Sequence, residues 1–131
     1  MTIHSDWYDA EQTIYVTRVE GTWTMDDFYR FFEETEALIK TISHDVVLIT
    51  DMSRSGPAPR QLLSAGRFMS KRRLPNVRRR VSVGVSRFGQ MLVQVMAKAY
   101  PAIRQRGVLA QDMDEAMTLA REALEQAKIV D

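Results

Sequence analysis

The chain has no cysteine. Disulfides, thiolate nucleophiles and zinc–thiolate centres are therefore excluded. Histidine is nearly absent too, with only His4 and His44, so no metal ligand set and no cofactor is assigned. The opening MTIHSDWYDAEQ carries acids and no apolar run, unlike a secretory leader. No window is apolar over the length of a bilayer span. Internal repeats, low-complexity tracts and linkers are missing as well. What remains is a 131-residue chain, 45% apolar and 27% charged, suited to one core and one domain spanning 1–131. A cytoplasmic protein of bacterial type is expected.

A further absence is local. Residues 52–111 contain no Asp or Glu but thirteen Lys or Arg. Residues 1–51 hold eleven acids against Arg18, Arg30 and Lys40, and residues 112–131 hold six against Arg121 and Lys128. The net charge of +1 thus conceals a basic middle between two acidic ends. Within that middle, SKRRLPNVRRR (70–80) supplies Lys71, Arg72, Arg73, Arg78, Arg79 and Arg80 as a candidate basic patch. Such a patch suits nucleic acid, anionic lipid or an acidic partner. It lacks both interleaved aromatics and an evident recognition helix, which disfavours nucleic acid. A solvated loop balanced by the acidic helices is the simpler reading.

Residues 3–9 and 12–19 alternate as two strands around DAEQ, with Ile14, Val16 and Arg18 on one face and Tyr15, Thr17 and Val19 on the other. Thr24, with Asp27 three residues later, starts an amphipathic helix carrying Phe28, Phe31, Phe32, Thr35, Leu38, Ile39 and Ile42 inward. VVLIT (46–50) does not alternate and predicts a strand buried on both faces. Pro57 and Pro59 introduce a helix over about 60–70, with Leu62, Leu63, Gly66 and Met69 inward. RVSVGVS (80–86) alternates Val81, Val83 and Val85 against Ser82, Gly84 and Ser86, and that small face predicts a closely packed helix over it. A helix follows from Arg87, ended or kinked at Pro101, then a short strand at 107–110. Asp112 caps a last helix with Ala116, Met117, Ala120, Ala123, Leu124 and Ala127 inward. The order ββαβαβαβα predicts an α/β fold: a single mixed, mostly parallel sheet of about five strands with four helices.

The stretches GTWTMDDFYRFFEETEALI, VVLITDMS, VSVGVSRFGQMLVQV and GVLAQDMDEAMTLAREAL, in that order, cover most of the chain. Together they resemble the STAS-like, SpoIIAA-like superfamily of anti-sigma-factor antagonists, and more narrowly its stand-alone members without an assigned function. In the antagonists, the loop after the central strand carries a D-S-S-G-like sequence, and phosphorylation of a serine there breaks the complex with an anti-sigma kinase. The corresponding stretch here is Asp51-Met52-Ser53-Arg54-Ser55-Gly56, in which Arg54 stands where the antagonists place an acid, and prolines follow. The resemblance implies protein or ligand binding at this loop, with Ser55 as the candidate phosphosite, and implies no reaction.

The residues themselves allow the same site. The carboxyl edge of a parallel sheet is where ligands bind in such folds, and a helix start there offers N–H groups to an anion. Asp51, Ser53, Arg54, Ser55, Gly56 and Arg60 are the candidate binding residues. The plainer alternative is that Ser53 or Ser55 caps the next helix, worth about 1 kcal/mol. Asp51 is expected to pair with Arg54 or Arg87. It has no acid–base companion, and no complete catalytic motif occurs. Trp7 and Trp23 are expected to form one aromatic cluster. On the helix after Arg87, Phe88, Met91, Val95 and Met96 form a stripe broader than one core face requires. It predicts a homodimer surface or the lining of an apolar pocket. The leading expectation is a non-enzymatic binding domain that takes a protein partner or small anion after the central strand. The alternative is a carrier of an apolar, lipid-like ligand, with its pocket between helix 88–100 and the sheet.

Overall fold

The computed structural model describes residues 2–72 and 74–130. The elements are β1 (Thr2–Trp7), β2 (Ile14–Gly21), α1 (Met25–Ile39) and β3 (Val46–Ser55). A 3-10 helix (Arg60–Ala65), α2 (Gly66–Lys71), β4 (Val77–Val83) and α3 (Arg87–Ala99) follow. The chain ends with α4 (Pro101–Arg106), β5 (Gly107–Ala110) and α5 (Met113–Val130). The five strands form one sheet in the order β1-β2-β3-β4-β5. The first pair is antiparallel and the rest are parallel. The mixed α/β architecture is therefore as expected.

The helix count differs for two physical reasons. Pro101 lacks the N–H needed to continue α3, so the chain breaks at Tyr100 and restarts as α4. Pro59 precedes the 3-10 turn without any side-chain cap, and the predicted helix 60–70 forms as that turn plus the short α2. Leu62 is buried as expected, but Leu63 points outward.

This strand order decides how the two faces are covered. From β2 to β5 each parallel connection moves one strand in the same direction. Right-handed crossovers of that kind all fall on the same face. α1, α2, α3 and α4 thus crowd one side, and α5, which connects to no further strand, covers the other. On the α5 side, Ile14, Val47, Ile49, Val81 and Val83 pack against Ala116, Met117 and Ala120. On the crossover side, Val19 and Trp23 pack with Leu62, Ala65, Leu92 and Met96. Ile39, Val46, Leu48, Leu74 and Val77 form a neighbouring cluster there. VVLIT is buried from both faces, as its lack of alternation predicts.

Both expected N-terminal caps form. The Thr24 hydroxyl accepts from Asp27 N while Asp27 Oδ2 accepts from Thr24 N, a reciprocal capping box at α1. At α5 the Asp112 carboxylate accepts from Glu115 N at 2.8 Å.

Helix distance is where expectation and structure part. The close helix lies over the valine face of β4, because Ala116 and Ala120 on α5 let its backbone approach. The small face, with Ser82, looks the other way. There α1 and α3 keep their backbones away from the strands and reach inward through side chains.

Candidate functional site

Large side chains on α1 hold it off the sheet. Phe28 and Phe32 contact each other with ring centroids 4.8 Å apart, and Phe68 of α2 meets Tyr29 at 4.7 Å and Phe32 at 6.0 Å. Behind this aromatic wall lies a cavity of about 630 Å³, bounded by the sheet, α1 and the α2–α4 segment. Phe28, Phe31, Leu62, Met96 and Val93 line it, and its surface is mainly apolar. That volume is within the range of small-molecule sites.

The floor is less apolar than the walls. A β-bulge opposite Val46 and Val47 inserts Arg78 into β4, so Val77 pairs with Val46 but Arg79 pairs with Val47. Past the extra residue the side-chain alternation is shifted by one. Arg80 and Ser82 consequently share the cavity face with Val77, opposite Leu48 and Thr50. Thr17 of β2 stands beside Thr50. Thr17, Thr50 and Ser82 make a row of hydroxyls across three strands, and Arg80 lies one step along β4 from it.

Arg80 is half-buried and lines the cavity. Its guanidinium sits over the Phe32 ring, 5.0 Å from the centroid. Loss of solvent lowers its pKa to about 10, against a small opposing pull from Glu36, so it remains charged at neutral pH. Glu36 itself is engaged elsewhere. Its Oε1 accepts from Lys40 at 2.8 Å and its Oε2 from Arg72 at 3.0 Å. Those hydrogen bonds hold the Glu36 carboxyl below its ordinary value.

The residues of the candidate basic patch have different surroundings. Arg72 pairs with Glu36 and covers Phe68 at 4.0 Å, Arg78 pairs with Asp45 at 2.9 Å, and Arg79 donates to the Gln105 carbonyl at 2.7 Å. Arg80 turns inward, Lys71 stays exposed on α2, and Arg73 lies outside the described residues. Contiguity in sequence is lost because the bulge and the alternation of β4 send successive arginines to different surroundings.

The stretch Asp51–Gly56 is strand, not loop, as far as Ser55. β3 keeps pairing with β2 past a second bulge, Arg54 opposite Glu20 and Ser55 opposite Gly21. Its amides therefore do not front a helix, and neither serine caps one. Asp51 Oδ1 accepts from Ser53 N at 3.0 Å and Ser53 Oγ at 2.7 Å, and pairs with neither Arg54 nor Arg87. Arg54 instead faces Glu20 at 3.7 Å, both solvent-exposed. The Ser55 hydroxyl accepts from Trp23 Nε1 and donates to Gly56 O, each at 2.8 Å. Arg60 is exposed at the start of the 3-10 turn. These candidate residues are not brought together around a common point. Gly84, at φ +70°, closes this edge, and a Cβ there would fall 2.8 Å from Ser53 Cα.

The stripe on α3 divides. Phe88, Met91 and Val95 are 41%, 50% and 49% exposed, whereas Met96 is 2% exposed and belongs to the interior. The tryptophans do not meet: Trp7 contacts Tyr15 at 5.0 Å and Trp23 stacks near Phe28 at 6.0 Å. Among the described residues no cluster of His, Asp and Glu could hold a metal ion, and no helix is long and apolar enough to cross a membrane. Arg80 is the residue that sequence reasoning misplaced. Its inward placement, opposite Leu48, depends on a bulge that no local pattern announces.

The strand order and the covering helices define an α/β domain with a SpoIIAA-like fold. The supporting likeness is to a crystal structure of an uncharacterised protein of the DUF3478 family, with a SpoIIAA-like fold, from Shewanella loihica PV-4. The two share a TM-score of 0.61 at 12% identity, over 90% of this chain and 93% of that one. No family model matches the sequence, and no curated protein matches it. At such identity the likeness concerns the fold alone.

Proposed function

We propose that this is a cytoplasmic, non-enzymatic binding protein whose ligand is an apolar, chain-like small molecule held in the cavity beneath α1 and α3. The observation that carries this reading is the 630 Å³ apolar cavity on a face whose covering helices stand away from the sheet. Natural cores leave few voids larger than a water molecule, and empty apolar space forfeits the contacts that stabilise a fold. A ligand would restore them. The strand exit at Asp51–Gly56 is the weaker candidate for the bound partner or anion, because Asp51, Ser53 and Ser55 already satisfy one another or their neighbours. A phosphate on Ser55 would remove the hydroxyl hydrogen that it donates to Gly56 O.

The test uses N-phenyl-1-naphthylamine, an uncharged fluorophore, added to protein stripped of bound lipid. Saturable enhancement at one equivalent is expected, and loss of it in Ala97→Phe, which projects a ring into the cavity. Absence of saturable binding to the folded wild-type chain would refute the reading.

A second reading, compatible with the first, concerns Phe88, Met91 and Val95. Their outward exposure at i, i+3 and i+7 makes a short apolar stripe suited to the same stripe on a second copy. Sedimentation equilibrium of wild type and Met91→Glu decides it: a dimer that the charge dissociates is expected, and a wild-type monomer at all concentrations removes it.

A further inference from the structure

A charge enclosed by protein is expensive unless paired and hydrogen-bonded. Four neighbouring arginines are paired or hydrogen-bonded. Arg72 has Glu36, Arg78 has Asp45, and Arg79 and Arg106 donate to carbonyl oxygens. Arg80 is different. No carboxylate lies within ion-pair distance of it among the described residues, and its guanidinium has a ring face beneath it and the cavity before it. The acid that influences it, Glu36, has both oxygens occupied by Lys40 and Arg72. Nearby, Thr17 shares its hydroxyl with Ser5 at 2.9 Å, while the Thr50 and Ser82 hydroxyls have no partner among the described residues. Five N–H donors in a planar fork and two free hydroxyls thus face one apolar chamber.

We propose that the occupant of the cavity is a singly charged anionic amphiphile, a chain carboxylate, whose head group is held by the Arg80 guanidinium beside the Thr50 and Ser82 hydroxyls. The chain lies along Phe28, Phe31 and Leu62. This rests on the reading of the cavity as a ligand site and adds the head group to it. A carboxylate fits the inventory: two oxygens match the guanidinium fork in a bidentate pair, and the remaining lone pairs accept from the hydroxyls. One guanidinium balances one negative charge. A phosphomonoester, carrying up to two, would leave charge uncompensated in the same enclosure. The bulge at Arg78 gains a purpose on this account, since without it Arg80 would face α5.

The experiment is calorimetric titration of the stripped, full-length chain with dodecanoate, 1-dodecanol and dodecyl phosphate. Wild type is expected to bind dodecanoate at least about tenfold more tightly than dodecanol, the gain of one charge-assisted hydrogen-bonded pair. Dodecyl phosphate should bind less tightly than dodecanoate. Arg80→Met should bring dodecanoate down to the affinity of dodecanol while leaving dodecanol unchanged. Arg80→Lys should keep a reduced preference, because it retains charge without the fork. Equal affinity of wild type for dodecanoate and dodecanol overturns the head-group assignment but leaves the cavity reading standing, and needs no variant to fold. Preference for dodecyl phosphate overturns the carboxylate. Failure of all three ligands to bind refutes the cavity reading itself.

Discussion

The two faces of the sheet carry similar strands and opposite helices. On one, α5 presents Ala116 and Ala120, both fully buried, and its backbone settles against Val81 and Val83. On the other, α1 presents Phe28, Phe31 and Phe32, whose rings prop the helix away and leave a cavity. Helix propensity and amphipathicity are satisfied in both. What differs is the size of the inward residues, and it separates a face that only stabilises from one that can also receive a ligand. Small residues on a helix close a layer. Large aromatic residues hold it open.

The comparison breaks most readily by truncation. Met117→Ala, at a buried residue of α5 packed on the closed face, should cost about 2–5 kcal/mol in urea denaturation. Leu62→Ala, on the cavity wall, should fall at or below the bottom of that range because its surroundings are already loosely filled. Equal costs would mean that the two faces are packed alike. Enlargement should show the same asymmetry. Ala120→Leu overfills the closed face and should lose about 1–3 kcal/mol. Ala97→Leu, facing the cavity, should change stability by no more than about 0.5 kcal/mol.

Smaller effects concern what holds α1 in place. Thr24→Ala removes half of the capping box and should cost about 1 kcal/mol, measured by thermal or urea unfolding. Glu36, which ties α1 to Arg72 of the α2 end, should matter least, by under about 1 kcal/mol for a partly exposed pair. Its carboxyl is depressed in the fold by the Lys40 and Arg72 hydrogen bonds, so the folded chain releases the proton more readily than the unfolded one. The contribution is present above the ordinary carboxylate range and is lost as pH falls through the depressed value. The stability gap between wild type and Glu36→Gln should therefore shrink from neutral pH to roughly pH 3.

Much of the fold was legible because it follows from short-range chemistry. The Thr24 and Asp112 caps, the break at Pro101, the doubly buried VVLIT and the alanine stripe of α5 each depend on residues within a few positions of one another. The site was legible only as an alternative. RVSVGVS was expected to sit under a close helix on its small side, yet distance is set by the partner helix, and the alanines lie on α5. Arg78, Arg79 and Arg80 look like one patch until the bulge at Val46 and Val47 assigns each a different environment. Ser53 and Ser55 look like caps until β3 is seen to continue beside β2, a pairing set by strand register and not by the serines. Registers and bulges are decided between strands, and a single strand does not display them.

The central claim is that only one face of the sheet takes a ligand, and the methionines report on both. Met52, Met69 and Met96 line the cavity, while Met113 and Met117 lie on α5 and pack against the opposite face of the sheet. With methyl-labelled methionine, titration of the stripped protein with N-phenyl-1-naphthylamine should be followed by NMR. Saturating ring-current shifts are predicted at Met52, Met69 and Met96, with Met113 and Met117 unmoved. Shifts confined to Met113 and Met117, or to the exposed Met91, would contradict the account.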